Sequence, residues 1–266
     1  MEQNIHEIVR ILFEGVSAAP IGVLIKPNNT IIRSVYGHGH RMVKELSYRP
    51  VADCKEYQRA SIPGETVFYG CMGEHIQNGE DWNNEIRRAM IMCAAESSPL
   101  LREGMCKEDA ECRTLSQWNV KRSLKAICFI TDETFAGRSS YDVDKFREIY
   151  KTKVPYISEE QRCWMRRISN EFTKQVHSAE EYEFTAKLCH YLLQEYKVNG
   201  KKIDAIIYPS VQTQGELGVN VAISKESADD ALEFEHLFEC VIEKIGKQVS
   251  ITCPRQYNAQ FRLKSV

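Results

Sequence analysis

Apolar residues fall at helical spacing over positions 5–16, with Ile5, Ile8, Val9, Leu12, Phe13 and Val16 on one face. That spacing predicts an amphipathic helix docked on the rest of the chain. Ala18 to Pro20 interrupts the pattern, Ile21 to Ile25 reads as a strand, and Pro27-Asn28-Asn29 turns into a second strand, Thr30 to Val35. A Pro63-Gly64 pair, suited to a type II turn, feeds a short strand, Thr66-Val67-Phe68-Tyr69. Residues 73–84 are polar and read as a loop, after which Trp82, Ile86, Ala89, Met90, Cys93 and Ala94 form the stripe of a helix running toward Leu101. Residues 102–121 are charged and loop-like, and Leu124 to Thr131 is a strand. Helices are predicted over 142–150 and 159–175, the second opened by the Ser158-Glu159-Glu160-Gln161 capping box, and a third from the Ser178-Ala179-Glu180-Glu181 cap to Asn199-Gly200. Ile203 to Val211 is a buried strand, closed where Pro209 offers no further ladder donor. Val219 to Ile223 follows as a strand, Leu232 to Cys240 alternates at period two, and a last strand is expected near 248–252.

Strands and helices in this order do not alternate as βαβ units. The expected class is therefore α+β, a mixed or antiparallel sheet core with surrounding helices. Residues 1–27 read as a helix and strand appended to a core domain spanning 28–266, with inserts near 73–85 and 102–122. The 266 residues are 43% apolar and 27% charged, an ordinary soluble composition with ample length for a core. A net charge of −2 gives no reason to expect direct binding to nucleic acid or to an anionic membrane. No apolar run has membrane-spanning length, and Met1-Glu2-Gln3-Asn4 lacks a signal-peptide layout, so a cytoplasmic location is expected. The ten cysteines form no CxxC pair and read as reduced thiols, mostly core filler.

Candidate chemistry gathers at a few positions. Arg59 leads into the Pro63-Gly64 turn and Tyr69 leaves it, so a guanidinium and a ring can flank one pocket, although the stretch taken alone reads better as a plain surface turn. Arg33 stands among β-branched residues, either at a sheet edge with its head in water or aimed into a site. Glu96 lies in the small-residue run Ala94-Ala95-Glu96-Ser97-Ser98, where a carboxylate needs a partner or a role, although a helix-surface acid is the plain alternative. Ser210 stands at a strand end, where a rigid scaffold meets an open space. Gly37-His38-Gly39-His40, like Cys71 with His75, offers only a half-site for zinc, which wants three or four ligands, and no metal is expected. His177 and His190 read as capping or packing residues, and no Gly-x-Gly-x-x-Gly segment supports a Rossmann dehydrogenase.

Taken together, Arg33, then Arg59-x4-Gly64-x4-Tyr69, the helix ending at Glu96, Tyr208-Pro209-Ser210 and Gly218-x-Asn220-x-Ala222 resemble the RES-domain family. The resemblance covers roughly residues 28–225. It implies an ADP-ribosyltransferase-like fold and an enzyme that consumes NAD as a substrate, releasing nicotinamide to water or phosphate. It further implies that Arg33 and Arg59 anchor phosphate or ribose and that Tyr69 stacks on a ring of the dinucleotide. Glu96 would stabilise the developing cation, Ser210 would hold the ribose or position Glu96, and Asn220 would give support. Compact members place their glutamate closer to the tyrosine, a spacing that Glu80 fits better, whereas the sequence around Glu96 matches the family pattern. Toxin members are blocked by an antitoxin with a helix-turn-helix domain, which makes such a protein the expected partner; a homodimer is also compatible. Transfer of ADP-ribose to a macromolecule, or a non-catalytic nucleotide-binding module, are the competing expectations.

Overall fold

In the computed structural model, which describes residues 4–14, 22–73, 82–101, 109–138, 140–198, 200–245 and 248–258, the chain opens with α1 (Ile5–Phe13), β1 (Gly22–Ile25), β2 (Thr30–Tyr36) and α2 (Val43–Leu46). It continues through β3 (Val67–Gly73), α3 (Trp82–Ser97), β4 (Ala110–Val120), β5 (Leu124–Cys128), α4 (Tyr141–Lys153), α5 (Glu159–Thr173) and α6 (Glu183–His190). The remainder is β6 (Lys197–Val198), β7 (Lys201–Lys202), β8 (Ala205–Pro209), β9 (Val219–Ser224), α7 (Lys225–Ala231), β10 (Leu232–Ile245) and β11 (Gln248–Asn258). Nine strands form one sheet in the order β1-β5-β8-β9-β3-β2-β4-β10-β11. Only β5 and β8 run parallel in it, so the sheet is mixed and the class is α+β, as the pattern predicts.

Alternation along the strands sorts the core onto two faces. Phe68, Ile207, Val219, Val221 and Ile223 share one face with Trp118 and Ile31, covered by Leu46 of α2, Val143 and Phe146 of α4, and Ala228 and Ala231 of α7. Val67, Ile206, Tyr208 and Ala222 point to the other face, where Ile8, Val9 and Leu12 of α1, Met165, Ile168 and Phe172 of α5, and Leu188 and Cys189 of α6 pack. Farther along this second face, α3 covers Ile32, Cys71 and Leu115 with Ala89, Met92 and Cys93. Two separate helical groups thus lie on one face, with β3, β9 and β8 running beneath the boundary between them.

Local chemistry sets the helix ends. Ser158 Oγ accepts from the Gln161 amide at 3.1 Å, while Gln161 Oε1 accepts from the Ser158 amide at 2.7 Å, the reciprocal capping box expected for α5. Gln161 Nε2 also donates to the Ile11 and Glu14 carbonyls, which ties the end of α1 to the start of α5. The Ser178–Glu181 pair forms a second capping box, but it opens a short 3-10 turn before α6, and a π turn over Tyr191–Glu195 ends the helical run ahead of Asn199-Gly200.

Three expectations change. The stretch 110–120, read as loop, is a strand between β2 and β10. Its polar residues hid it: Arg113, Thr114, Ser116 and Gln117 are all buried, each with hydrogen-bond partners, so the burial left no apolar signature. Helix α7, capped by Ser224 on the Ser227 amide, occupies residues that carried no predicted element. Cys240 and Cys253, expected as reduced thiols, are joined by a disulfide between β10 and β11, their Cα atoms 4.1 Å apart. Cys54, Cys71, Cys93, Cys128 and Cys189 are buried free thiols, in keeping with core filling.

Gly70 of β3 leaves no room for a side chain against β2. A Cβ there would lie 2.4 Å from Ile31 Cγ2 and 3.1 Å from the Ile32 carbonyl oxygen. Gly70→Ala is expected to destabilise the protein by about 1–3 kcal/mol through overpacking. Urea denaturation checks this, and an unchanged midpoint would contradict the tight approach.

Candidate active site

The Pro63-Gly64 turn forms as the sequence predicts: the Glu65 amide donates to the Ile62 carbonyl at 3.2 Å, and Gly64 takes φ +81°. The strand that follows carries Tyr69 onto the second face. Its ring is half-buried, and its hydroxyl accepts from the Ala60 amide at 2.9 Å and pairs with Ser61 Oγ at 3.1 Å. Burial raises the Tyr69 phenol well above its ordinary range, so the hydroxyl stays protonated. The turn therefore presents a fixed aromatic ring.

Across the sheet, Cys71 of β3 lies opposite Asn220 of β9, and Asn220 lies opposite Tyr208 of β8. These three side chains form a row on the second face, with Cys71 Sγ donating to Asn220 Oδ1 at 3.1 Å. Burial raises the Tyr208 phenol well above its ordinary range, and its ring lies 5.2 Å from that of Phe172 of α5.

Glu96 reaches this floor from the last turn of α3. Ser210 Oγ donates to Glu96 Oε1 at 2.6 Å, and the Gln212 amide donates to the same oxygen at 3.2 Å. Ser210 Oγ in turn accepts from Thr213 Oγ1 at 2.7 Å and from the Thr213 amide at 3.3 Å. The strand-ending Pro209 releases the chain, and the Ser210 amide still bonds the Gly218 carbonyl, so the loop is held at both ends. A hydroxyl that receives from Thr213 and donates to Glu96 has its proton fixed toward the carboxylate. Glu80, the alternative acid, lies outside the described residues, as does His75.

The two arginines stand apart from this pair. Arg59 donates from Nη1 to the Phe172 carbonyl at 2.9 Å and from Nη2 to the Lys174 carbonyl at 3.0 Å, and stacks 4.8 Å from the Tyr182 ring centroid. It fixes the C-terminal end of α5 against the turn, a favourable place for a cation. Arg33 is 9% exposed on an interior strand, which removes the edge alternative. Strands β2 and β3 pair only from Thr30↔Gly73 to Ile32↔Cys71. Beyond that, Arg33 Nη1 bridges to the Tyr69 carbonyl at 2.8 Å, with the guanidinium 5.3 Å from the Phe68 ring centroid. Burial lowers its pKa to about 10, and among the described residues its Nε has no hydrogen-bond partner and no carboxylate forms a salt bridge with it. It is a buried cation at the split between two strands.

Glu96 and Ser210 are thus in direct contact. Tyr69 and Asn220 share the second face, Arg59 is engaged with the end of α5, and Arg33 stands at the β2–β3 split with its guanidinium against Phe68 of the first face. Sequence reasoning passed over Tyr208 and Thr213 as site residues and weighed Cys71 only as half of a zinc site; Tyr208 had a signal in the motif Tyr208-Pro209-Ser210. The other candidate groups lead elsewhere. His38 bonds the Cys240 carbonyl and His40 the Tyr36 carbonyl, so their rings do not converge. His190 is more than a packing residue, since its ring lies between Glu65 at 2.8 Å and Glu195 at 3.3 Å. A hollow of about 450 Å³ lies between α1 and the Tyr191–Tyr196 segment, lined by His6, Arg10, Phe13 and Tyr196, and shares none of the residues above. No helix among the described residues is long and apolar enough to cross a membrane. Neither protein-family models nor curated proteins match the sequence.

Proposed function

We propose that this protein is a NAD-cleaving enzyme of RES type that breaks the nicotinamide–ribose bond, with water or phosphate as acceptor. The observation that carries the reading is the 2.6 Å contact between Ser210 Oγ and Glu96 Oε1. Loss of nicotinamide leaves an oxocarbenium-like ribose, and a fixed carboxylate near that carbon stabilises it more than it stabilises the ground state. Arg33, buried at the β2–β3 split with Nη1 on the Tyr69 carbonyl, is the cation this reading assigns to the dinucleotide pyrophosphate. In this reading Tyr69 stacks on nicotinamide or adenine, and Arg59 shapes the wall and contributes its positive field. Asn220 keeps the row in register through Cys71, and the ADP-ribosyltransferase-like description of the fold rests on the resemblance to the RES-domain family. A cytoplasmic enzyme of this kind is toxic unless restrained, which is the chemical case for a protein inhibitor such as a helix-turn-helix antitoxin.

The test is incubation of the purified protein with adenine-labelled NAD, with and without phosphate, followed by chromatography of all products. The expected result is free nicotinamide with label in ADP-ribose or its phosphate ester. Label in a macromolecule would favour transfer instead, and tight binding without products would favour a non-catalytic module. Ser210→Ala removes one hydrogen bond to the carboxylate and is expected to lower kcat by about 10–100-fold, the effect of losing one charge-assisted bond of roughly 1.5–3 kcal/mol. Undiminished turnover by Ser210→Ala would contradict the assigned role.

A further inference from the structure

The turn that carries Glu96 is anchored by a residue of the strand whose polar sequence concealed it. Arg113 of β4 is 5% exposed. Its Nη2 donates to the Ser97 carbonyl at 2.7 Å, its Nε donates to Glu111 Oε1 at 3.0 Å, and its guanidinium lies 5.6 Å from the Tyr36 ring centroid. Ser97 directly follows Glu96 and is the final residue of α3, so its carbonyl is among those an α-helix leaves without an internal partner. The same turn is closed by Ser97 Oγ on the Cys93 carbonyl at 2.7 Å and by the Ser98 amide on the Ala94 carbonyl at 2.8 Å. A guanidinium is well matched to this place, because its charge complements the negative end of the helix and its fork can hold two acceptors at once. Glu111, itself buried, supplies the counter-charge that lets the cation remain inside.

We propose that Arg113, neutralised by Glu111, is a positioning residue that fixes the last turn of α3 so that the Glu96 carboxylate meets Ser210. It acts through the Ser97 carbonyl and touches no substrate. The geometric part stands on the contacts above; the part concerning turnover rests on the NAD-cleaving reading. Fixed placement matters because displacement of a reacting group by about 1 Å can cost roughly 100-fold in rate.

Arg113→Ala alone leaves Glu111 buried and unpaired, which endangers folding. Arg113→Met combined with Glu111→Gln removes both charges together, and Arg113→Lys keeps the charge without the fork. Two measurements separate the claims. Amide hydrogen exchange should accelerate at Ser98 in both variants, while amides in the middle of α5 keep their protection. Nicotinamide release should show kcat reduced by about 100-fold with KM within about twofold, and guanidinium ion should restore part of kcat in Arg113→Ala where that variant folds. Unchanged exchange at Ser98 overturns the positioning role whether or not the enzyme turns over. A raised KM at constant kcat overturns it as well, since that would place Arg113 in substrate binding. Absence of nicotinamide release by the wild type removes the catalytic reading only, and the exchange measurement then decides the positioning role alone.

Discussion

Glu96→Gln is expected to reduce nicotinamide release by about 100–1,000-fold, equivalent to roughly 3–4 kcal/mol of transition-state stabilisation, with the fold intact. The substitution is chosen for its conservatism. A glutamine carbonyl at the same position still accepts from Ser210 Oγ and from the Gln212 amide, the two donors that meet Glu96 Oε1. What disappears is negative charge beside the developing ribose cation. The loss should therefore appear in kcat, with KM for NAD little altered, because an interaction made only in the transition state leaves ground-state binding alone. Steady-state assays of both proteins, with thermal unfolding as a check on folding, measure this directly. Equal turnover by the two proteins would withdraw Glu96 from the chemistry.

The second large effect concerns stability. Phe172→Ala should destabilise the protein by about 3–5 kcal/mol, a large part of the roughly 5–15 kcal/mol that holds a domain together. Phe172 is fully buried at the end of α5, stacked 5.1 Å from the Phe129 ring centroid and 5.2 Å from that of Tyr208. It therefore joins the helix to β8 and to the floor of the site. Its backbone carbonyl is also the acceptor of Arg59 Nη1, so collapse of the void would disturb the wall as well as the floor. Urea unfolding should show a lowered midpoint with an unchanged slope, and Phe172→Leu should lose less. A loss below about 1 kcal/mol would mean that the stack contributes little to the core.

How much of this could be read in the chain depended on whether burial left an apolar trace. Strands β9 and β10, the capping box of α5 and the Pro-Gly turn were legible because each rests on local chemistry within a few residues, although a bulge between Phe234 and His236 breaks the period-two stripe expected for β10. Strand β4 was not. Its Arg113, Thr114 and Ser116 are buried by satisfying one another's surroundings across the sheet, with Thr114 bonded to the Gly37 carbonyl and Ser116 to backbone oxygens of Arg33 and Leu46. Those partners lie 70 or more positions away, beyond any window of sequence. The same reasoning covers the site. Arg59, Tyr69, Glu96 and Ser210 could be nominated from their local settings, and the sheet brings Glu96 to Ser210 across a separation of 114 residues. That the donors of Arg59 go to α5 carbonyls could not be foreseen, since the helix end that receives them lies 112 to 115 residues downstream. Tyr208 was visible only as a member of a motif; its role as the floor depends on strand register.

The central claim is that NAD is broken beside the Glu96–Ser210 pair. The most direct measurement is the time course of nicotinamide formation when purified wild-type protein is mixed with NAD. The account predicts one nicotinamide for every NAD consumed, continuing over many turnovers. NAD that remains intact at high protein concentration, in the presence of phosphate, would contradict it.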